Sequence, residues 1–132
     1  MIFILGLNVF RYYSYLMRTG KPQKNDYPLL GAKKDFSERI LSGYKDAHKA
    51  ADYLKINYSV RKVLLFGSLV NGDYFHDRSD IDIAVEGLPE NCYYQAVGEL
   101  MDLIHDFSID VVDLNACNPG LIKRIIQESI SL

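Results

Sequence analysis

The stretch Val63-Leu64-Leu65-Phe66-Gly67-Ser68, followed eleven residues later by Asp80-Ile81-Asp82, constrains this chain more than any other. An apolar run ends abruptly at a Gly-Ser pair. A polar turn follows, and a second strand pattern opens with two carboxylates one residue apart. Side chains alternate across a strand, so Asp80 and Asp82 share one side while Ile81 and Ile83 take the other. Like charges that close are costly unless a cation sits between them. Hard oxygen ligands at this spacing suit Mg²⁺, which takes one or two protein carboxylates and completes its shell with water and substrate phosphates. Gly67 allows close backbone approach, and the Ser68 hydroxyl and turn amides can donate to phosphate oxygens. A phosphate cradle and metal ligands on consecutive strands imply chemistry on a nucleoside triphosphate.

The flanking pattern predicts the scaffold. Phe36, Ile40, Tyr44, Ala47, Ala51 and Leu54 form one apolar stripe and predict a helix from Phe36 to Ile56. Asp35 with Glu38 resembles a capping box, and Asn57 is the expected left-handed stop. Strands are expected at Arg61–Phe66, Asp80–Val85 and Ser108–Leu114, with a short helical turn after Ser68. Pro89 is expected to open a second helix at its first position, with Tyr93, Ala96, Val97, Leu100, Leu103 and Ile104 inward. Asn118-Pro119 signals a last helix whose Leu121, Ile122, Ile125 and Ile126, with Ile130, face the core. The order helix, strand, strand, helix, strand, helix gives a small α/β domain with a mixed sheet flanked by helices.

A length of 132 residues fits one domain with a modest core. With a net charge of −2 and no run of Lys or Arg, the chain lacks the basic stripe that long nucleic acid requires. Met1–Phe10 is apolar but too short for a membrane span, which needs about 20 residues. It also lacks the charge and cleavage pattern of a secretory signal. Met1–Tyr15 is expected to be an amphipathic or buried appendage, and Thr19–Pro28, with Gly20, Pro22 and Pro28, a linker. Residues 1–30 are thus set apart from a domain at 31–132, and Met17 is an alternative start. Cys92 and Cys117 have no metal or redox spacing and read as reduced thiols of a cytoplasmic protein.

Asp110, inside the strand Ile109-Asp110-Val111-Val112-Asp113-Leu114, is unexpected on packing grounds, because a lone buried carboxylate is expensive. Taken with Gly67-Ser68 and Arg78-Ser79-Asp80-Ile81-Asp82, it resembles the nucleotidyltransferase superfamily that includes the palm of DNA polymerase beta. More narrowly, the chain from about Phe36 to Leu132 looks like the minimal nucleotidyltransferases (MNT) of prokaryotes. The resemblance implies transfer of AMP from ATP to an acceptor hydroxyl. It assigns Asp80, Asp82 and Asp110 to two Mg²⁺ ions and to catalysis, and Gly67 and Ser68 to the β- and γ-phosphates. Many relatives carry an arginine three residues after the serine; this chain has Asn71, which removes one candidate phosphate contact. Asp113, on the opposite face, is expected to be an edge-strand charge facing water. Arg78 reads equally as a phosphate contact or a solvated loop residue. Tyr44 and Tyr93 read as core, and His48 as a surface or packing residue.

There is no room for template-holding subdomains, so templated polymerisation is not expected. The resemblance points to a toxin–antitoxin pair in which the nucleotidyltransferase adenylylates a tyrosine of a helical HEPN ribonuclease. His48, His76 and His105 are not followed two residues on by tyrosine, so the His-x-Tyr motif of that partner must lie on another chain. The alternatives are adenylylation of a small molecule such as an aminoglycoside, and an antitoxin that binds its partner without catalysis. Self-association stays open.

Overall fold

The computed structural model describes residues 34–71, 75, 76 and 78–132. The expected appendage and linker lie outside the described residues, as does the Asp35 side chain of the expected cap. Helix α1 (Lys34–Tyr58) is followed by strand β1 (Lys62–Phe66), a single 3₁₀ turn (Gly67–Leu69) and strand β2 (Ile81–Glu86). A second 3₁₀ turn (Glu90–Cys92) leads into α2 (Tyr93–Leu103), then β3 (Ile109–Asp113), α3 (Pro119–Glu128) and β4 (Ile130–Ser131). The sheet order is β3-β2-β1-β4. β2 pairs antiparallel with β1 and parallel with β3, so the sheet is mixed as expected. β4 adds an edge strand the sequence pattern does not announce.

Alternation gives the sheet two unequal faces. Val63, Leu65, Ile81, Ile83, Val85, Ile109 and Val111 join Ile40, Tyr44, Leu54, Ala96 and Leu100 of α1 and α2 in one continuous core. The other face is thin: Leu64, Ala84 and Ile125 of α3 are its buried centre, with Phe66, Val112 and Leu114 half-buried around them. The two helices of the thick face are tied by Glu99, whose carboxylate accepts from the hydroxyls of Tyr53, at 2.7 Å, and Tyr58. Arg39, over the Phe107 ring at 4.2 Å, closes the other end of that layer.

Helix ends explain most departures from the sequence reading. Ser59, not Asn57, takes the left-handed conformation (φ 54°) after α1. Val60 N–H reaches back to Leu54 O across it, at 3.4 Å, while the Asn57 side chain donates to Tyr53 O. Pro89 does not open α2; it precedes a tight turn closed by Cys92 N–H to Pro89 O, and the α-helix starts only at Tyr93. Asn118 does cap α3, accepting from Leu121 N–H at 2.8 Å, with Pro119 next. The inward face expected for α3 is corrected: Ile125 alone is fully buried, whereas Leu121 and Ile126 are exposed. Ile130 belongs to β4. A ten-residue helix on a face centred on Leu64 and Ala84 reaches the sheet through one row of side chains.

This arrangement makes neighbouring isoleucines unequal. Ile125→Ala should cost about 2–4 kcal/mol, the usual cost of emptying a packed site. Ile126→Ala should stay within about 0.5 kcal/mol, as for a surface position. Urea denaturation of the two variants checks this; equal losses would restore the all-inward reading of α3.

Candidate active site

The site is assembled where β1 ends and β2 and β3 begin. Gly67 leaves β1 with φ +78°, in the region that disfavours a side chain, and turns the chain into the 3₁₀ segment. A Cβ on Gly67 would stand 2.2 Å from Asp82 Oδ2. Only a glycine lets the turn close over that carboxylate. Val70 and Asn71 N–H both bond Gly67 O, at 3.1 and 3.0 Å, which holds the turn shut. The amides that open such a turn have no partner within it. Leu69 is buried against α1 at Gly43, where a Cβ would meet its Cδ1 at 2.8 Å. The glycine turn is therefore anchored in the main core from behind.

The three aspartates are placed differently from one another. Asp82 and Asp110 are register partners on the parallel strands β2 and β3, on the thin face of the sheet, and their side chains are hydrogen-bonded. Phe66 is the antiparallel partner of Asp82 on its other side. Asp80 lies one residue before β2, half-buried, close enough for its charge to act on Asp82. Burial first, then the charges of Asp110 and Asp80 and the hydrogen bond from Asp110, push the Asp82 carboxyl up to about 6. Among the described residues no three His, Cys, Asp or Glu side chains are arranged to hold a metal ion as they stand. The contacting pair is Asp82–Asp110, whose side chains are hydrogen-bonded to each other. Two carboxylates forced together beneath a glycine turn are nonetheless the donor chemistry a hard cation takes, so the residues fit Mg²⁺ in kind.

Two polar neighbours of the aspartates hold places that the sequence motif left open. Ser79, the one buried polar residue among those described, accepts from His76 N–H through Oγ at 2.8 Å and returns its own N–H to His76 O. This clasp fixes the entry of Asp80 into β2; a serine directly before the first aspartate was its only signal. Asn71 carries a buried Oδ1 with no hydrogen-bond partner. Arg78 is exposed, and its N–H bonds His76 Nδ1 at 3.1 Å. Asp113 is half-buried, on the opposite face from Asp110, and Tyr93 is a half-buried helix residue whose hydroxyl donates to Val111 O.

The raised Asp82 pKa gives a signed expectation. In the metal-free protein the native state holds a proton on Asp82 between about pH 4 and 6 that the unfolded chain releases, so this group's stabilisation falls as pH rises through that window. Asp82→Asn removes the dependence. In chelator, the variant's urea midpoint should gain on the wild type's between about pH 4.5 and 7.5. An unchanged gap would mean that Asp82 titrates as an ordinary surface carboxylate.

The family model described as polymerase beta, nucleotidyltransferase, matches residues 48–132, which include the glycine turn and all three aspartates. A chain in the crystal structure of a toxin–antitoxin with AMP-PNP is 27% identical, with a TM-score of 0.55 over 64% of this chain and 70% of that one. A chain in the complex of the tri-AMPylated Shewanella oneidensis HEPN toxin with MNT antitoxin is 25% identical, with a TM-score of 0.51 over 67% and 70%. A chain of the toxin–antitoxin MntA–HepT shares the fold at 23% identity and a TM-score of 0.51, over 67% and 69%. No functionally curated protein matches. With nearly two thirds of its residues inside the family model, and with the four-stranded mixed sheet and glycine turn in place, this chain belongs to the polymerase beta-like nucleotidyltransferase family.

Proposed function

We propose that this chain transfers AMP from ATP to a hydroxyl of another protein, a tyrosine of a helical HEPN-type toxin, and so acts as its antitoxin. The observation that carries the reading is the Asp82–Asp110 pair held beneath the Gly67 turn. Likeness to chains crystallised with AMP-PNP and with an AMPylated HEPN toxin supports the choice of nucleotide and acceptor.

In this reading Gly67, Ser68 and the turn amides receive the β- and γ-phosphates, and the rigid attachment of Leu69 to α1 fixes where the α-phosphorus lies. Catalysis is then mostly positioning and charge neutralisation. Asp80, Asp82 and Asp110 would hold the Mg²⁺ ions, whose charge supports the attacking and leaving oxygens of an in-line displacement. Asp110, on the edge strand, would also orient or take the acceptor's proton. A tyrosine, with pKa near 10, needs that help at neutral pH. The P–O bond to pyrophosphate breaks as the phenolic oxygen bonds to the α-phosphorus. The Tyr–AMP product adds negative charge and bulk to the acceptor. The neutral Asn71 supplies no cation to the triphosphate, which leaves its charge to the metal.

ATP should bind tightly only with a divalent ion, and titration calorimetry with and without Mg²⁺ reads this; equal affinities would remove the metal assignment. Incubation with a HEPN-type toxin partner, ATP and Mg²⁺ should add whole AMP units to the partner's mass. Asp82→Asn should slow the addition at least about a hundredfold, roughly 2.7 kcal/mol of transition-state stabilisation. A partner silenced with no change of mass would make simple sequestration the correct reading.

A further inference from the structure

A groove of about 390 Å³ opens at the end of the sheet away from the aspartates, lined by Glu90, Tyr93, Tyr94, Asp113, Ala116 and Cys117. Asp113 is three residues along β3 from Asp110, roughly 10 Å, and on the opposite face, so the groove is separate from the nucleotide site. Its wall is aromatic: Tyr93 and Tyr94 stand edge to face with centroids 5.3 Å apart, and Tyr94 is 88% exposed. The hydroxyl of Tyr93 is spent on Val111 O, which leaves its ring as a fixed backstop to the exposed Tyr94. The lining carries two carboxylates, Glu90 and Asp113, and no basic residue among the described residues. Asn115 N–H holds Asp113 Oδ1 at 2.9 Å, so one of the two carboxylates is oriented in advance.

We propose that this groove is a protein-docking site that receives an arginine side chain of a partner. A guanidinium is planar, is more weakly hydrated than an ammonium and stacks on a tyrosine face while its N–H groups pair with carboxylates. Glu90 and Asp113 supply those carboxylates, and Tyr94 supplies the face. The same two acids repel phosphate, which rules against a nucleic-acid segment here. The charge complementarity is thus specific in sign and in shape: a flat cation on an apolar stem. Docking at this groove gives a partner a grip that does not obstruct the aspartates.

The test is a titration of the ¹⁵N-labelled full chain with the peptide acetyl-Gly-Arg-Gly-amide, alongside the same peptide carrying citrulline, its uncharged isostere. The arginine peptide should give saturable amide shifts at Glu90, Tyr94 and Ala116 and none at Gly67 or Asp82. Citrulline should give none. Tyr94→Ala, at an exposed position that folding tolerates, should weaken binding about threefold or more, while Tyr94→Phe keeps the ring and retains it. Asp113→Asn should weaken it as well. Absence of saturable shifts at the groove, or equal shifts with citrulline, overturns the proposal; ATP binding by the same sample reads the nucleotide site separately.

Discussion

The structure depends on one constraint: two carboxylates, Asp82 and Asp110, are held side by side on neighbouring parallel strands with a glycine turn pressed onto one of them. Parallel pairing in register cannot be slipped by one residue without sending every apolar side chain of β3 to the wrong face. Ile109 and Val111 are buried in the thick core, so Asp110 is forced toward Asp82. The burial of β-branched neighbours thereby offsets the repulsion. A site that is unfavourable by itself is maintained by a core that does not touch its charges.

The unequal faces divide the work. α1 and α2 supply nearly all the packed apolar volume, and they carry the tyrosine–Glu99 tie and the Arg39–Phe107 stack. α3 covers only part of the other face, which leaves Phe66 and Val112 half-buried next to the aspartates. A second full helical layer there would stabilise the domain and close the approach to Asp82 and Asp110. The thin cover is what keeps a protein-sized acceptor's route open in the proposed reaction.

Much of this was legible in the sequence where period and chemistry agree. The stripe of α1 from Ile40 to Leu54, the strand ending at Gly67, the alternation around Asp82 and the cap at Asn118 all express local rules, and the structure follows them. What was not legible depends on distant partners. Whether Leu121 or Ile126 is buried is decided by how narrow the Leu64–Ala84 surface is, not by the strong amphipathic pattern of α3. β4 is two residues long and exists because β1 offers it an edge. The left-handed stop fell to Ser59 rather than Asn57, since α1 runs two residues further, to Tyr58, before Val60 N–H closes back on Leu54 O. The aspartates themselves were evident, but the direct pairing of Asp82 with Asp110 follows from a parallel register that spacing alone does not specify.

Asp110 and Asp113 belong to the same edge strand and look in opposite directions. An acceptor that reaches Asp110 from the α3 side and also places an arginine against Asp113 and Tyr94 must straddle the β3 edge. That edge is already blunted: the Tyr93 hydroxyl occupies Val111 O, so a partner cannot simply add a strand along β3. Contact across the edge is therefore through side chains, with the acceptor hydroxyl on one face and the cation on the other. Such a two-point grip fixes orientation as well as proximity, and orientation is the larger part of what an in-line displacement requires.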